Sequence, residues 1–87
     1  MWEEIDLENG GKALRRVFEF RDFSAAFGFM TQVAIESERM NHHPWWSNVW
    51  NKVEIRLSTH DEGDSITEKD IKLSEAIDKI APTPKAT

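Results

Sequence analysis

The clearest periodicity in this chain lies in residues 49–57, VWNKVEIRL. Apart from Asn51, every second position of this stretch is apolar, namely Val49, Val53, Ile55 and Leu57. The alternate positions are Trp50, Lys52, Glu54 and Arg56. Alternation with a period of two predicts a β-strand with one face in the core. The stretch is either one bent strand or a strand that breaks near residues 51–52.

The segment just before it, residues 23–40, predicts an α-helix with Asp22 as its N-cap. Its apolar arc is roughly 200° wide, about twice what one sheet covers. The arc contains Phe23, Ala25, Ala26, Phe27, Phe29, Met30, Val33, Ala34, Ser37 and Met40. So wide an arc predicts two packing partners, the protein's own sheet and a second subunit. The alternative is burial among helices of one chain, although this sequence offers few others.

The first 20 residues predict a β-hairpin. Trp2, Ile5 and Leu7 lie among acidic residues, and residues 13–20 alternate as a second strand. Between them lies Asn9-Gly10-Gly11, whose residue types accept the positive φ of a tight turn.

The remaining elements complete a β-β-α-β-β-α order. Residues 41–47 and 59–64 predict loops, and Ser65–Ile66 predicts a short edge strand. A second helix is expected from Thr67 to about Ile80, because Thr67 and Asp70 form a variant of the capping box. The fold class is therefore α+β, a two-layer sandwich with helices on one face of a four-stranded antiparallel sheet. Pro82 and Pro84 are expected to end the second helix, and we expect one domain over residues 1–87 with a loose tail at 81–87.

Composition narrows the function classes. A chain of 87 residues has a marginal core, which favours oligomerisation as a source of stability. The net charge of −5 disfavours direct contact with nucleic acid or an anionic membrane. The absence of cysteine, of a signal peptide and of a long apolar run favours a cytoplasmic protein.

All three histidines of the chain are candidate catalytic residues: His42, His43 and His60. Imidazole has a pKa of about 6.5 and both donates and accepts protons near neutral pH. The rigid Pro44 and the flat rings of Trp45 and Trp46 suit a planar heterocyclic ligand. The alternatives are an exposed pair without a role and a zinc site. Adjacent histidines without cysteine or a His-Glu-x-x-His pattern argue against zinc.

Two carboxylates are supporting candidates. Glu38 precedes His42 by one helical turn and is either a proton acceptor or an ordinary surface residue. Asp70 projects from the apolar side of the second helix, where a structural role at the helix N-terminus is favoured.

Taken together, these positions resemble the signature of the pterin-4a-carbinolamine dehydratase family, whose members share a dimerisation-cofactor-like fold. The matching residues are Glu38, His42, His43, Pro44, Trp50, His60 and Asp70. The flanking segments FEFRDF (18–23), VWNKV (49–53) and LSTH (57–60) agree, and the resemblance covers about residues 2–80. Family members usually carry a helix ahead of the position of Trp2, and this chain is expected to lack it.

The resemblance implies dehydration of a 4a-hydroxytetrahydropterin, such as 4a-hydroxytetrahydrobiopterin, to the quinonoid dihydropterin in pterin recycling. It implies that His42 and His60 are the acid–base pair and that His43 binds and orients the pterin. The substrate-contacting positions would be Asn41, Ser58, Thr59 and Asp61, with Trp46 as a wall beside the ring. Pterin is the substrate, so no cofactor or metal is expected.

The expected assembly is a homodimer or homotetramer, and the expected metabolic partner is an aromatic amino acid hydroxylase that produces the substrate. The alternative function is that of a protein-binding dimerisation cofactor that uses the face of the 23–40 helix. A zinc hydrolase is a third hypothesis.

Overall fold

A computed structural model describes residues 1–82, and its sheet has four antiparallel strands in the order β1-β2-β4-β3. The elements are β1 (Glu3–Asp6), β2 (Lys12–Glu19), α1 (Phe23–Met40), β3 (Trp45–Val49), β4 (Lys52–Leu57), a 3-10 turn (His60–Glu62) and α2 (Glu68–Ile80). Both helices pack on the sheet, so the predicted α+β fold is confirmed.

The N-terminal hairpin forms as predicted. Gly10 takes a φ of 90°, a conformation that residues with a Cβ rarely adopt. Gly11 accepts a close approach instead, because a Cβ there would lie 2.5 Å from the backbone oxygen of Asp64. Lys12 donates its backbone N–H to the same oxygen at 2.7 Å. The hairpin is therefore fastened to the loop that follows β4.

The prediction of a loop over residues 41–47 needs correction, because residues 45–47 belong to strand β3. The periodic stretch 49–57 is divided between β3 and β4, which confirms the predicted break near residues 51–52 over a single bent strand. The division occurs because Trp50 takes a φ of 50° and turns the chain. Asn51 is buried there and donates its side-chain amide to the carbonyl of Phe20 at 2.8 Å. Val49, predicted to face the core, lies before this turn and is exposed.

The predicted edge strand at Ser65–Ile66 does not form. Ser65 makes only an isolated bridge to Thr59. The fourth strand is β3, which pairs with β4 and forms one edge of the sheet. Its sequence WWSNV follows a proline and has no clean apolar alternation, which is why the strand pattern was missed.

The core lies between the sheet and the two helices. Helix α1 begins at the predicted N-cap, where Asp22 accepts from the N–H of Ala25 at 2.8 Å. The buried apolar side chains are Phe18, Phe20, Ala26, Phe29, Val33, Val53, Ile55, Leu57, Leu73 and Ile77. Phe29 links the two layers, since its ring centroid lies 4.8 Å from that of Phe18 and 4.9 Å from that of Phe20.

The wide apolar arc of α1 is buried on one side and exposed on the other. Ala26, Phe29, Val33 and Ser37 face the core. Phe23 and Phe27 are 48% and 52% exposed, with ring centroids 5.6 Å apart. A second subunit on this exposed strip stays a prediction.

Helix α2 begins and ends where expected. Its N-cap is Thr67, and Asp70 completes a capping box. Ala81 still donates to the carbonyl of Ile77 and packs against the core. Most of the predicted tail, with Pro84, lies outside the described residues. Among residues 1–82, no helix has the length and apolar character needed to cross a membrane.

Candidate active site

The pairing of β3 with β4 explains how distant histidines meet. Trp45 at the start of β3 lies opposite Arg56 near the end of β4. Because the strands are antiparallel, the chain that enters β3 runs beside the chain that leaves β4. The first carries His42 and His43, and the second carries His60.

The end of α1 sets the direction of the histidine pair. Asn41 is the C-cap, with a φ of 53° that asparagine tolerates better than most residues. His42 then donates its backbone N–H to the carbonyl of Ser37 at 3.1 Å. This turn carries the chain from the helix layer into the edge of the sheet.

All three histidines line one open pocket of about 270 Å³. Its other lining residues are Asn41, Ser58, Thr59, Asp61 and Lys69. Every residue predicted to contact substrate, except Trp46, is therefore brought to one place. Lys69 was not anticipated. A lysine in the first turn of a helix is unfavourable, because its charge opposes the helix dipole. This unusual position was the hint in the sequence that Lys69 has another role.

His42 is held by a buried carboxylate. Its Nε2 lies 2.6 Å from Oδ1 of Asp70, and the two side chains are 11% and 0% exposed. Oδ2 of Asp70 accepts from Oγ1 of Thr59 at 2.7 Å and from the N–H of Thr67 at 2.8 Å. With Asp70 as the acceptor of this contact, His42 donates through Nε2, and its Nδ1 has no hydrogen-bond partner among the described residues.

Asp70 thus has two roles where the sequence favoured one. It completes the capping box of α2, as predicted, and it also fixes the ring of His42. The second role could have been predicted from the position of Asp70 on the apolar side of α2. A carboxylate buried there requires hydrogen-bond donors around it.

His43 has a looser partner. Its Nε2 lies 2.9 Å from Oε1 of Glu38, and both side chains are largely exposed. A solvent-exposed pair of this kind orients a ring only weakly. The imidazole of His43 is therefore free to adjust to a ligand.

His60 is the most exposed of the three, with 91% of its side chain accessible. Its Nδ1 lies 3.0 Å from Oδ1 of Asp64. The hydrogen bond that His60 makes to the Asp64 carboxylate, and secondarily the charge of that carboxylate, raises the pKa of His60 above the ordinary value. The same bond and a second one from Asn9 lower the pKa of Asp64. The raised pKa favours the protonated form of His60 near neutral pH.

A second, larger pocket of about 760 Å³ adjoins the first and shares His43 and Ser58 with it. Trp45 lines this larger pocket, with the guanidinium of Arg56 4.5 Å from its ring centroid. Trp46 lines neither of these two pockets and instead packs against the core. Neighbouring residues of a strand point to opposite faces, so recognising β3 would have separated the two tryptophans.

Within the part of the chain that the structure describes, no group of three or more His, Asp or Glu side chains is arranged to hold a metal ion.

Comparison with known proteins gives a consistent result. A family model described as "Pterin 4 alpha carbinolamine dehydratase" matches residues 1–80. A Rhizorhabdus wittichii protein named "Putative pterin-4-alpha-carbinolamine dehydratase" is 51% identical over 76 residues, covering 87% of this chain and 77% of the relative. A Burkholderia pseudomallei protein of the same name is 52% identical over 77 residues, covering 88% of this chain and 75% of the relative.

Two solved structures share the fold. A transcriptional coactivator/pterin dehydratase from Brucella melitensis superposes with a TM-score of 0.83 at 43% identity, covering 93% of this chain and 82% of that one. A pterin dehydratase-like protein identified as a RuBisCO assembly factor in the alpha-carboxysome gives a TM-score of 0.76 at 21% identity, covering 92% and 88%. The second likeness concerns the fold alone.

Proposed function

Since this chain belongs to the pterin-4a-carbinolamine dehydratase family, we propose that it converts a 4a-hydroxytetrahydropterin to the quinonoid dihydropterin by histidine acid–base catalysis. The observation that carries the proposal is the meeting of His42, His43 and His60 around one pocket. The substrate would come from a reaction that hydroxylates a reduced pterin at C4a, such as that of an aromatic amino acid hydroxylase.

His60 is the proposed general acid. The reaction breaks the C4a–O bond, and the hydroxyl leaves as water only if it gains a proton. The raised pKa of His60 supports this role, because it keeps the imidazole protonated over more of the neutral range. Its exposure allows the ring to be reprotonated from solvent after each turnover.

His42 is the proposed general base. As the C4a–O bond breaks, the nitrogen lone pair forms the C4a=N5 double bond and N5 loses its proton. The free Nδ1 of His42 accepts that proton, and Asp70 stabilises the imidazolium that forms. The net result is transfer of one proton from N5 to the departing oxygen, and exchange with solvent resets both histidines.

His43 and the polar pocket residues are assigned to binding. The pyrimidine part of a pterin presents hydrogen-bond donors and acceptors along one edge. Side chains of matching type line the pocket at Asn41, Ser58 and Asp61. Thr59 also lines it, but its hydroxyl already donates to Asp70. Glu38, bonded to His43, supports the orientation of that ring.

Separate variants distinguish these roles. His42→Ala and His60→Ala should each lower kcat by about 10²–10⁴-fold, the usual contribution of a general acid or base. His43→Ala should mainly raise KM. The assay generates the 4a-hydroxypterin enzymatically and follows its decay by stopped-flow absorbance, with Trp50→Phe as a control outside both pockets. Equal turnover by wild type and all three variants would refute the proposal.

A second candidate function is favoured by the exposed strip of α1, defined by Phe23, Phe27, Met30 and Ala34. Two adjacent exposed phenylalanines are uncommon on a surface that faces only water. We propose that this strip joins subunits in a homodimer or homotetramer, with the dimerisation-cofactor role as the alternative use of the same face.

Analytical sedimentation tests directly whether this strip joins subunits. Phe27→Ser should shift the protein toward the monomer while Ile35→Ser, an exposed α1 residue outside the strip, should not. A wild-type protein that sediments as a monomer at all concentrations would count against self-association.

A further inference from the structure

The segment that carries His60 is fastened on both sides to the turn of the N-terminal hairpin. Before His60, the hydroxyl of Ser58 donates to the backbone carbonyl of Lys12 at 2.8 Å. After His60, the backbone carbonyl of Asp64 accepts the N–H of Lys12 at 2.7 Å. Lys12 is distant from His60 in the sequence, so the tertiary fold holds the histidine segment in place.

One side chain of this turn, that of Asn9, reaches the carboxylate that contacts the imidazole. Its Nδ2 donates to Oδ2 of Asp64 at 2.6 Å, while Oδ1 of Asp64 lies 3.0 Å from Nδ1 of His60. The other end of the amide is also fixed, because Oδ1 of Asn9 accepts the N–H of Gly11 at 2.9 Å. Asn9, Asp64 and His60 therefore form a chain of two hydrogen bonds that ends at the proposed general acid.

We propose that Asn9 is a positioning residue for His60 and that it acts through the carboxylate of Asp64. The inference rests on the proposed dehydratase function, in which His60 protonates the departing hydroxyl. It adds a second role to Asn9, which the sequence assigned only to the hairpin turn.

Asp64 needs such support because of its backbone conformation. Its φ is 57°, in the left-handed region that is uncommon for residues other than glycine, although aspartate tolerates it better than most. Residues in this region persist where the surrounding structure holds them. Here the side chain of Asp64 accepts from Asn9, and its main chain accepts from Lys12. Without Asn9, the carboxylate would lose one of the two hydrogen bonds that fix its direction.

The contact from Asn9 also favours the charged form of the carboxylate. The bond to His60, and after it the bond from Asn9, lower the pKa of Asp64. An ionised Asp64 in turn raises the pKa of His60 through its hydrogen bond and its charge. Asn9 is itself uncharged, so we expect its effect on the imidazole to pass through Asp64.

The other charged groups around this pair stay the same when Asn9 is replaced. Asp61 and Glu62 share the 3-10 turn of His60, and the charge of Asp61 also raises the pKa of His60. The other titratable residues that line the histidine pocket are His42, His43 and Lys69. Those that line the larger pocket beside Asp64 are Asp6, Glu8, His43 and Arg56. They form a constant background for a substitution at Asn9.

Two substitutions at Asn9 separate positioning from turn formation. Asn9→Ser keeps a hydroxyl that can accept the N–H of Gly11, as serine does in such turns, but it lacks the amide that reaches Asp64. Asn9→Ala removes both contacts. We expect both variants to lower the pKa of His60, by less than Asp64→Asn does. They should also lower kcat above neutral pH by about fivefold, the usual contribution of one hydrogen bond.

Asn48→Ser is the matched control. Asn48 donates to the carbonyls of Trp50 and Lys52 in the turn between β3 and β4, and it lines neither of the two pockets. The substitution removes side-chain contacts of a turn without touching Asp64, so the pKa of His60 should not change.

The primary measurement is an NMR titration of the His60 imidazole in the full-length protein, with the signal assigned by its absence in His60→Ala. It reports the pKa of His60 whether or not the protein is a dehydratase. The second measurement is the pH dependence of kcat/KM. Its alkaline limb should move to lower pH in both Asn9 variants and stay in place in Asn48→Ser. Asn9→Ser alone decides the question if Asn9→Ala does not fold.

A double-variant cycle tests the route through Asp64. Asp64→Gly removes the carboxylate and suits the positive φ of that position. If Asn9 acts through Asp64, Asn9→Ser should not change the pKa of His60 further in the Asp64→Gly background. An equal shift in both backgrounds would overturn the proposed route.

Each of the other results has a distinct meaning. An unchanged pKa of His60 in the folded Asn9 variants would overturn the positioning role and leave the dehydratase proposal intact. A pKa lowered in Asn9→Ala but normal in Asn9→Ser would also overturn it, because turn formation alone would then explain the effect. A lowered pKa in both variants, combined with no turnover by wild type, would reject the dehydratase function and still support the hold of Asn9 on the Asp64–His60 pair.

Discussion

Two histidine–aspartate pairs in this protein use the same residue types in opposite surroundings. His42 and Asp70 meet at 2.6 Å in the interior, while His60 and Asp64 meet at 3.0 Å on the surface. The buried carboxylate is held by two further donors, so it fixes a ring in position. The carboxylate of Asp64 is 22% exposed and also accepts from Asn9, whereas the His60 side chain that it contacts is 91% exposed and has a raised pKa. The comparison indicates that burial separates a histidine whose ring is fixed in position from one whose ring is open to proton exchange with solvent.

The largest expected effect is that of Asp70→Ala. It leaves three donors without their acceptor and removes the capping box of α2. A buried donor left without its acceptor costs about 1–3 kcal/mol of unfolding free energy, and the lost cap adds about 1 kcal/mol. Urea denaturation measures the loss. Asp64→Ala is the control on the exposed pair and should shift the midpoint far less; equal shifts would contradict the contrast drawn here.

Asp70→Asn separates stability from activity at the same position. The amide keeps an acceptor oxygen, so most of the stability should remain. It cannot stabilise an imidazolium at His42 as a carboxylate does, so kcat should still fall by at least about tenfold. A variant with wild-type kcat would remove Asp70 from the mechanism.

The next effect concerns the contact between the N-terminal hairpin and Asp64, the partner of His60. In Gly11→Ala the new Cβ would meet the backbone of Asp64, which has little freedom to move. We expect a loss of about 1–3 kcal/mol, typical of overpacking. Gly28→Ala is the matched control, because nothing lies near its Cβ and alanine favours the helix by up to about 1 kcal/mol. Thermal unfolding should therefore move in opposite directions for the two variants.

A smaller effect is expected on the pH profile. Asp64 raises the pKa of His60, so the acid form persists to higher pH than for a free imidazole. Asp64→Asn removes the charge and weakens the hydrogen bond, which lowers the pKa of His60. The alkaline limb of the kcat/KM profile should therefore move to lower pH. The control variant Glu38→Gln should leave that limb in place. An unmoved limb in Asp64→Asn would mean that His60 is not the acid.

The smallest effect is that of Glu38→Gln. Its partner His43 is exposed, and pairs of this kind contribute little. KM should rise by less than about fivefold with kcat unchanged. A large fall in kcat would place Glu38 among the proton-transfer groups and blur the distinction between buried and exposed partners.

Helix α1 illustrates what the sequence could predict. Asp22 as N-cap and the strong periodicity gave both of its ends correctly. The hairpin at Asn9-Gly10-Gly11 followed equally from turn chemistry. Both elements are specified by neighbours in the chain, which local patterns record.

Strand β3 and the two pockets illustrate what the sequence could not predict. The break near residues 51–52 was one of two predicted alternatives, because Asn51 interrupts the apolar alternation, but the sequence did not show that residues 45–49 form a strand of their own. Without that strand, the sequence could not show that Trp45 lines the larger pocket while Trp46 packs against the core. The larger pocket combines the hairpin turn with the β3 and β4 strands, and such long-range contacts leave no periodic trace in the sequence.

The central claim is that His42 and His60 transfer protons for one substrate in one pocket. The most direct test is the stopped-flow decay of an enzymatically generated 4a-hydroxytetrahydropterin with wild type and with the double variant His42→Ala/His60→Ala, whose folding is verified by circular dichroism. We predict that wild type accelerates the decay and that the folded double variant returns it to the rate in buffer. A double variant as fast as wild type would contradict the account.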